Sequence, residues 1–216
     1  MSCCSVEVAL IVSMMLAGGP GTATLPRDTI YAAVMIICTG VVGICLLAGG
    51  LRHHAQSFRL EGTNGALSAL VALTGLSLVL PTFTTSSPEG TYTASQLVFA
   101  AVSSLALWAI FVFLHTVRHR DDFLPPSNTA DEAEHAAPPS AGVAAASFGL
   151  TVPAVVATTT LLDLPLVLGL PPKDLVLLAL TFLVGAITLG TGRTNMMQGA
   201  VHLVLFAAFV FLPLVP

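Results

Sequence analysis

Charge is what this sequence lacks. Asp, Glu, Lys and Arg make up 8% of its 216 residues, against about 25% in soluble domains. Its one lysine and six arginines form no basic run. That argues against nucleic acid as a partner, because phosphate backbones are bound by clustered cations. Disorder is excluded as well, since disordered chains are poor in apolar residues and 55% of these are apolar. The four cysteines, Cys3, Cys4, Cys38 and Cys45, have no metal or disulfide spacing. Cys38 and Cys45 stand seven apart on one helix face and are read as packing residues. No Lys or Arg precedes Arg27, so the N-terminal apolar stretch lacks the positive region of a signal peptide. No nucleophile with its base, phosphate-binding loop or HExxH cluster is present. The chain is therefore not read as an enzyme, and no cofactor is expected.

What is there is apolar and comes in runs. The mean hydropathy is +0.92, and a soluble body of that composition would be unable to cover its own surface. A helix crosses the hydrocarbon core with about 20 mostly apolar residues. Uncharged stretches near that length fall at 29–51, 65–81, 96–117, 141–162, 175–192 and 199–216. A marginal seventh lies at 6–19, with Glu7 at its start. Lipid offers the backbone no water, so these segments are helices. Runs such as 34–38 and 175–180 do not alternate as a barrel strand would. The expected class is all-α, a polytopic membrane protein with 6–7 transmembrane helices. It divides into a first membrane half (1–117), a linker (118–140) and a second membrane half (141–216).

The basic residues suggest an orientation. Arg52 and Arg59, Arg118 and Arg120, and Arg193 occupy loops that share one side if all seven spans are real. The opposite loops hold only Arg27 and Lys173, so the positive-inside rule puts the first group, and the N-terminus, in the cytoplasm. The linker, with Asp131, Glu132 and Glu134, reads as a solvated connection; a weak cation-sensing patch is the sharper alternative.

Within a bilayer the polar residues carry the information. Glu7 is either a cation ligand and proton carrier, its burial tuning the carboxyl, or an interfacial charge favouring a helix N-terminus. Thr39 and Gly40 sit mid-span, and Thr39 with Gly43 makes a small-xxx-small face. That face favours close packing, with ion coordination as the alternative. In 141–162, Pro153 removes one helical bond and frees the carbonyl of Gly149, near Ser147 and Thr151. Broken helices of this kind frame ion sites in transporters, and also occur as plain kinks. His115 and His202, near helix ends, read as neutral hydrogen-bonded histidines.

Long runs in order then resemble one family. They are VEVALIVSMMLAGGP (6–20), AAVMIICTGVVGICLLAGGLRH (32–53), QSFRLEG (56–62), LVLPTFTTSSPEGTYTASQLVF (78–99) and VRHRDDFLPP (117–126). FGLTVPAV (148–155), LPLVLGLPPKDLVLLALT (164–181) and LGTGRTNMMQGAVHLVLFAAFVFL (189–212) continue the match. They resemble the bacterial calcium/proton antiporters of the cation/calcium exchanger superfamily. The resemblance implies two inverted repeats, here partial, each with an ion-binding hairpin and an essential glutamate. Glu7 corresponds to the first glutamate and would be the metal ligand. Thr39 stands where the family typically has Asn, and Gly40, Ser147 and Gly149 complete the implied ion-binding set. Helices that precede the glutamate in the family have no counterpart before Met1. Two more, the second bearing the other glutamate, have none between Ser140 and Ala141. The implied function is antiport of Ca²⁺, or of Na⁺ or K⁺, against H⁺ in the bacterial inner membrane. The implied partners are cations, protons and the bilayer, with a homodimer as one way to supply two carboxylates. The alternative is a non-transporting remnant, or a subunit that completes a site with another chain.

Overall fold

A computed structural model describes residues 2–18, 21–53, 55–57, 60–84, 90–113, 140–162, 164–191 and 193–214. All seven expected apolar segments are helical among them. α1 is Ser2–Ala17. After the 3-10 turn Thr22–Thr24, α2 (Leu25–Met35) passes through a π segment, Ile36–Val41, into α3 (Val42–His53). α4 (Leu60–Thr74) passes through a second π segment, Gly75–Val79, into α5 (Leu80–Phe83). α6 (Ala94–Phe113), α7 (Ser140–Leu161), α8 (Pro172–Gly190) and α9 (Met196–Leu214) follow. Among the described residues, five stretches are long and apolar enough to cross a membrane: Thr22–Leu51, Asn64–Phe83, Ala94–Phe113, Pro172–Gly190 and Met196–Pro213. The shorter Val8–Ala17 and Gly149–Leu161 belong to α1 and α7. Most of the expected linker lies outside the described residues, as does His115.

The helices are apolar outward and carry hydroxyls inward, the reverse of a soluble protein. Phe99, Val102, Ile110, Val176, Ile187 and Phe211 are exposed, whereas Thr39, Thr74, Ser77, Thr181 and Thr188 are buried. In lipid an unmet hydroxyl is costly, and most of these bond back to their own helix. Thr39 donates to the Met35 carbonyl, Thr74 to Leu70, Ser77 to Leu73 and Thr181 to Leu177.

The chain gathers into two compact units, each drawn from both halves of the sequence. One unit comprises 1–33, 69–112 and 145–175. Its connections meet at one end. The Val167 amide donates to Ala23, the Gly169 amide to Gly90, and the Arg27 guanidinium to the Gly169 carbonyl, at 2.9–3.0 Å. Gly90, at φ +71°, lies against Gly169, and a Cβ on Gly169 would meet the Gly90 Cα at 2.7 Å. Only two glycines allow that approach. At the same end Asp174 interacts electrostatically with Tyr31, Lys173, Arg27 and Asp28. Ile11, Met15 and Val155 form a core beneath Leu164 and Leu166.

The other unit comprises 34–68, 113–144 and 176–216. Its main packing pair is α3 on α9. A Cβ on Gly199 would come within 2.6 Å of the Leu47 nitrogen, and one on Gly50 within 2.9 Å of the Met196 Cα. The backbones therefore touch, as small residues permit in membranes. The structure adds one feature to the all-α expectation. Ala55–Ser57 (β1) and Arg193–Asn195 (β2) pair antiparallel, with Gln56 opposite Thr194. The two loops holding these strands, which follow Arg52 and contain Arg193, consequently share one side.

Both π segments obey one rule. The Leu80 amide donates five residues back, to Gly75, and so passes over Leu76, while the next residue, Pro81, has no amide to offer it. The Leu76 carbonyl accepts instead from the Tyr92 hydroxyl at 2.6 Å. Burial pushes the Tyr92 phenol from 10.0 up to about 12, so it remains a neutral donor at physiological pH. Tyr92→Phe is expected to lower stability by about 0.5–1.5 kcal/mol, the net worth of one hydrogen bond at a half-buried carbonyl, in thermal unfolding at neutral pH. A raised folded-state pKa contributes stability that is complete below the unfolded value and lost as pH rises through the folded one. The wild type should therefore lose stability between pH 10 and 12 more steeply than the Phe variant.

Candidate functional site

The first π segment holds the two mid-span candidates. The Val42 amide is shared between the Ile37 carbonyl, five residues back, and the Thr39 carbonyl, and passes over Cys38; the helix is widened at Cys38, Thr39 and Gly40, all buried. Such π segments recur at functional sites. Thr39 is fully buried, and its donated bond to Met35 leaves the oxygen's lone pairs to accept or to coordinate. Gly40 faces the Phe206 ring, 3.3 Å from where a Cβ would stand, and Gly43 faces His202 and Leu203 at 3.0–3.1 Å. The small-xxx-small face thus packs against α9, as the packing reading expects.

His202 closes this region. The expectation of a hydrogen-bonded histidine is met, but it sits well inside α9 (Met196–Leu214) rather than at its end. It is 1% exposed. Nδ1 lies 2.9 Å from the Cys38 carbonyl and must be the donor, since a carbonyl only accepts. In the neutral ring Nε2 then carries a lone pair, to which the Thr188 hydroxyl donates at 3.2 Å. Sequence reasoning missed the pairing because it depends on which carbonyl the π segment skips. Beside the ring is a cavity of about 20 Å³, bordered by Cys38, Val42, Thr181, Gly185 and His202. That is room for about one water. Cys38 is buried and neither it nor Cys45 is in a disulfide.

The other candidates belong to the other compact unit. Glu7 lies within α1, with its side chain outside the described residues. Ser147 lies within α7, and its side chain is likewise outside them. Gly149 is buried against Trp108, where a Cβ would meet the Trp108 Cβ at 2.7 Å, so this position needs glycine for packing. α7 continues through Pro153. With no amide on Pro153, the Gly149 carbonyl loses its usual helical donor.

Comparison with known proteins gives these positions a setting. Residues 3–117 match the sodium/calcium exchanger protein family, a range that takes in Glu7, Thr39 and Gly40. A Sinorhizobium fredii protein named as an ionic transporter, y4hA, is 36% identical over 284 positions, covering 98% of this chain and 77% of that protein. The sodium-potassium/proton antiporter ChaA of Escherichia coli is 25% identical over 283 positions, covering 94% of this chain and 76% of that protein. No solved structure matches the chain. Both alignments are much longer than the 216 residues of this chain. The relatives therefore carry internal residues opposite none here. At about 20 residues per crossing, the surplus has room for the two helices expected between Ser140 and Ala141. The chain is a multi-pass membrane protein of the cation/calcium exchanger superfamily and belongs to the sodium/calcium exchanger protein family.

Proposed function

We propose that this protein is a secondary active transporter of the bacterial inner membrane, exchanging a cation for protons by alternating access. The observation that carries this reading is the family match across 3–117, which includes both Glu7 and the π segment. The cation is calcium, or sodium and potassium as in the name of the E. coli relative. Glu7 binds the cation and carries the returning proton. The Thr39 oxygen and the backbone oxygens near Gly40, Ser147 and Gly149 replace hydration water, since calcium takes 6–8 oxygen ligands. The test is purified protein in liposomes with an imposed pH gradient and dyes for calcium, sodium and potassium. Gradient-driven uptake of any of these supports exchange, and uptake that ignores the gradient overturns proton coupling.

A second reading, a subunit that completes its site with another chain, is favoured by the internal residues of the relatives that this chain lacks. It predicts uptake only from dimers or from a two-chain complex.

The orientation belongs to the same proposal. A reporter fused after Arg120 should read cytoplasmic and one fused after Ser86 should read outside. The opposite pattern would reverse the topology.

A further inference from the structure

The two π segments share a construction that no sequence pattern announces. In each, one amide reaches back five residues and passes over a carbonyl, and a side chain from another element takes that carbonyl. Val42 passes over Cys38, which His202 takes; Leu80 passes over Leu76, which Tyr92 takes. Each pair lies within one compact unit. A helix in lipid has no water with which to satisfy a skipped carbonyl. The external donor is therefore what makes the π register affordable in a membrane. Without it, the nearest repair is for the Val42 amide to turn back to Cys38 and restore the ordinary four-residue bond.

We propose that His202 is a positioning residue for the Thr39–Gly40 segment, its Nδ1–H holding the helix in the π register that aims the Thr39 oxygen and the adjacent carbonyls. A π segment stores one extra residue. Annealing it to α shifts the helix before the segment by one residue relative to the helix after it, about 100° and 1.5 Å. Thr39 and Gly40 lie at that joint and are re-aimed. Two features equip the ring for this task. The Cys38 carbonyl, which only accepts, fixes the proton on Nδ1, and Thr188 anchors Nε2 so that the ring keeps facing Cys38. The adjoining cavity borders both Cys38 and His202, so the ring meets the carbonyl without overpacking. The role in ion binding rests on the transport reading above, whereas the register does not.

Asn and Gln separate the two nitrogens. His202→Asn places an amide nitrogen near the position of Nδ1 and should keep the bond to Cys38. His202→Gln places its amide near Nε2 and should keep only Thr188, and His202→Phe keeps neither. Protein in liposomes, labelled with ¹³C at cysteine carbonyls and ¹⁵N in histidine, reports the bond directly. The Cys38 signal is identified by its loss in Cys38→Ser. The wild type should show ¹⁵N–¹³C contact between His202 and Cys38. The Cys38 carbonyl shift should stay in place in the Asn variant and move to an ordinary helical value in the Gln and Phe variants. In flux assays the apparent cation affinity should weaken about fivefold in Gln and Phe, the factor of one hydrogen bond of ordinary net strength. Asn should restore it, with the maximal rate less affected.

An unmoved Cys38 signal in the Phe variant, or Asn and Gln behaving alike, overturns the positioning role whether or not the protein transports. A moved signal with unchanged affinity overturns the link between register and ion. The expected spectra without cation flux even in wild type support the register and overturn the transport reading instead.

Discussion

Glu7→Gln is expected to abolish pH-dependent cation uptake while leaving the protein folded. The amide keeps the shape of the carboxyl but neither ionises nor exchanges a proton. A cation in a low-dielectric site then loses its charge partner, which costs about 3–5 kcal/mol for a buried pair. That corresponds to more than about 100-fold in binding. The interfacial alternative predicts something different. A carboxylate near a helix N-terminus contributes about 0.3–1 kcal/mol through the helix dipole, so Gln would lower stability slightly and leave flux alone. Glu7 lies in α1 (Ser2–Ala17), inside the family match. Flux from Glu7→Gln in liposomes, read beside its thermal unfolding, separates the two roles. Unchanged flux would show that the family's glutamate role does not carry over to this residue.

The helices were legible because a bilayer imposes a length and a polarity that composition records directly. All seven apolar segments appear as helices, and two of the three loops expected on one side are tied together by the pairing of Ala55–Ser57 with Arg193–Asn195. The interruptions were not legible. Nothing in IICTGV or GLSLV distinguishes a π segment from an α turn, because the difference lies in which amide meets which carbonyl. The donors that stabilise these segments, His202 and Tyr92, are 164 and 16 residues away from the carbonyls they hold. Pairings of that kind are tertiary, and a single chain carries no periodic trace of them. The glycines were half legible. Gly43 was read as a packing position and packs, whereas Gly149 was read from the carbonyl freed by Pro153, and its contact with Trp108 belongs to a neighbouring helix.

Calcium should be the harder cargo for this chain. A dehydrated divalent ion needs two negative charges close by, and an uncompensated charge in a low-dielectric site costs several kcal/mol. The family resemblance assigns one carboxylate to Glu7 and places the other within helices that have no counterpart between Ser140 and Ala141. The acidic side chains described, Asp28 and Asp174, lie in the first turns of α2 and α8. Arg27 and Lys173 surround Asp174, and Arg27 is paired with Asp28 at 2.8 Å. Charges already matched by arginine and lysine at a helix end do not replace a mid-span carboxylate. Monomers are therefore expected to exchange calcium for protons more than about 100-fold more slowly than sodium or potassium, the factor that a few kcal/mol represents. The measurement is made in liposomes loaded at no more than one monomer each, with calcium and sodium dyes under the same pH gradient. Rapid calcium exchange by such monomers would overturn the expectation. Calcium exchange that appears only when two chains share a vesicle, and vanishes when one of them is Glu7→Gln, would mean that the second carboxylate is the partner's Glu7.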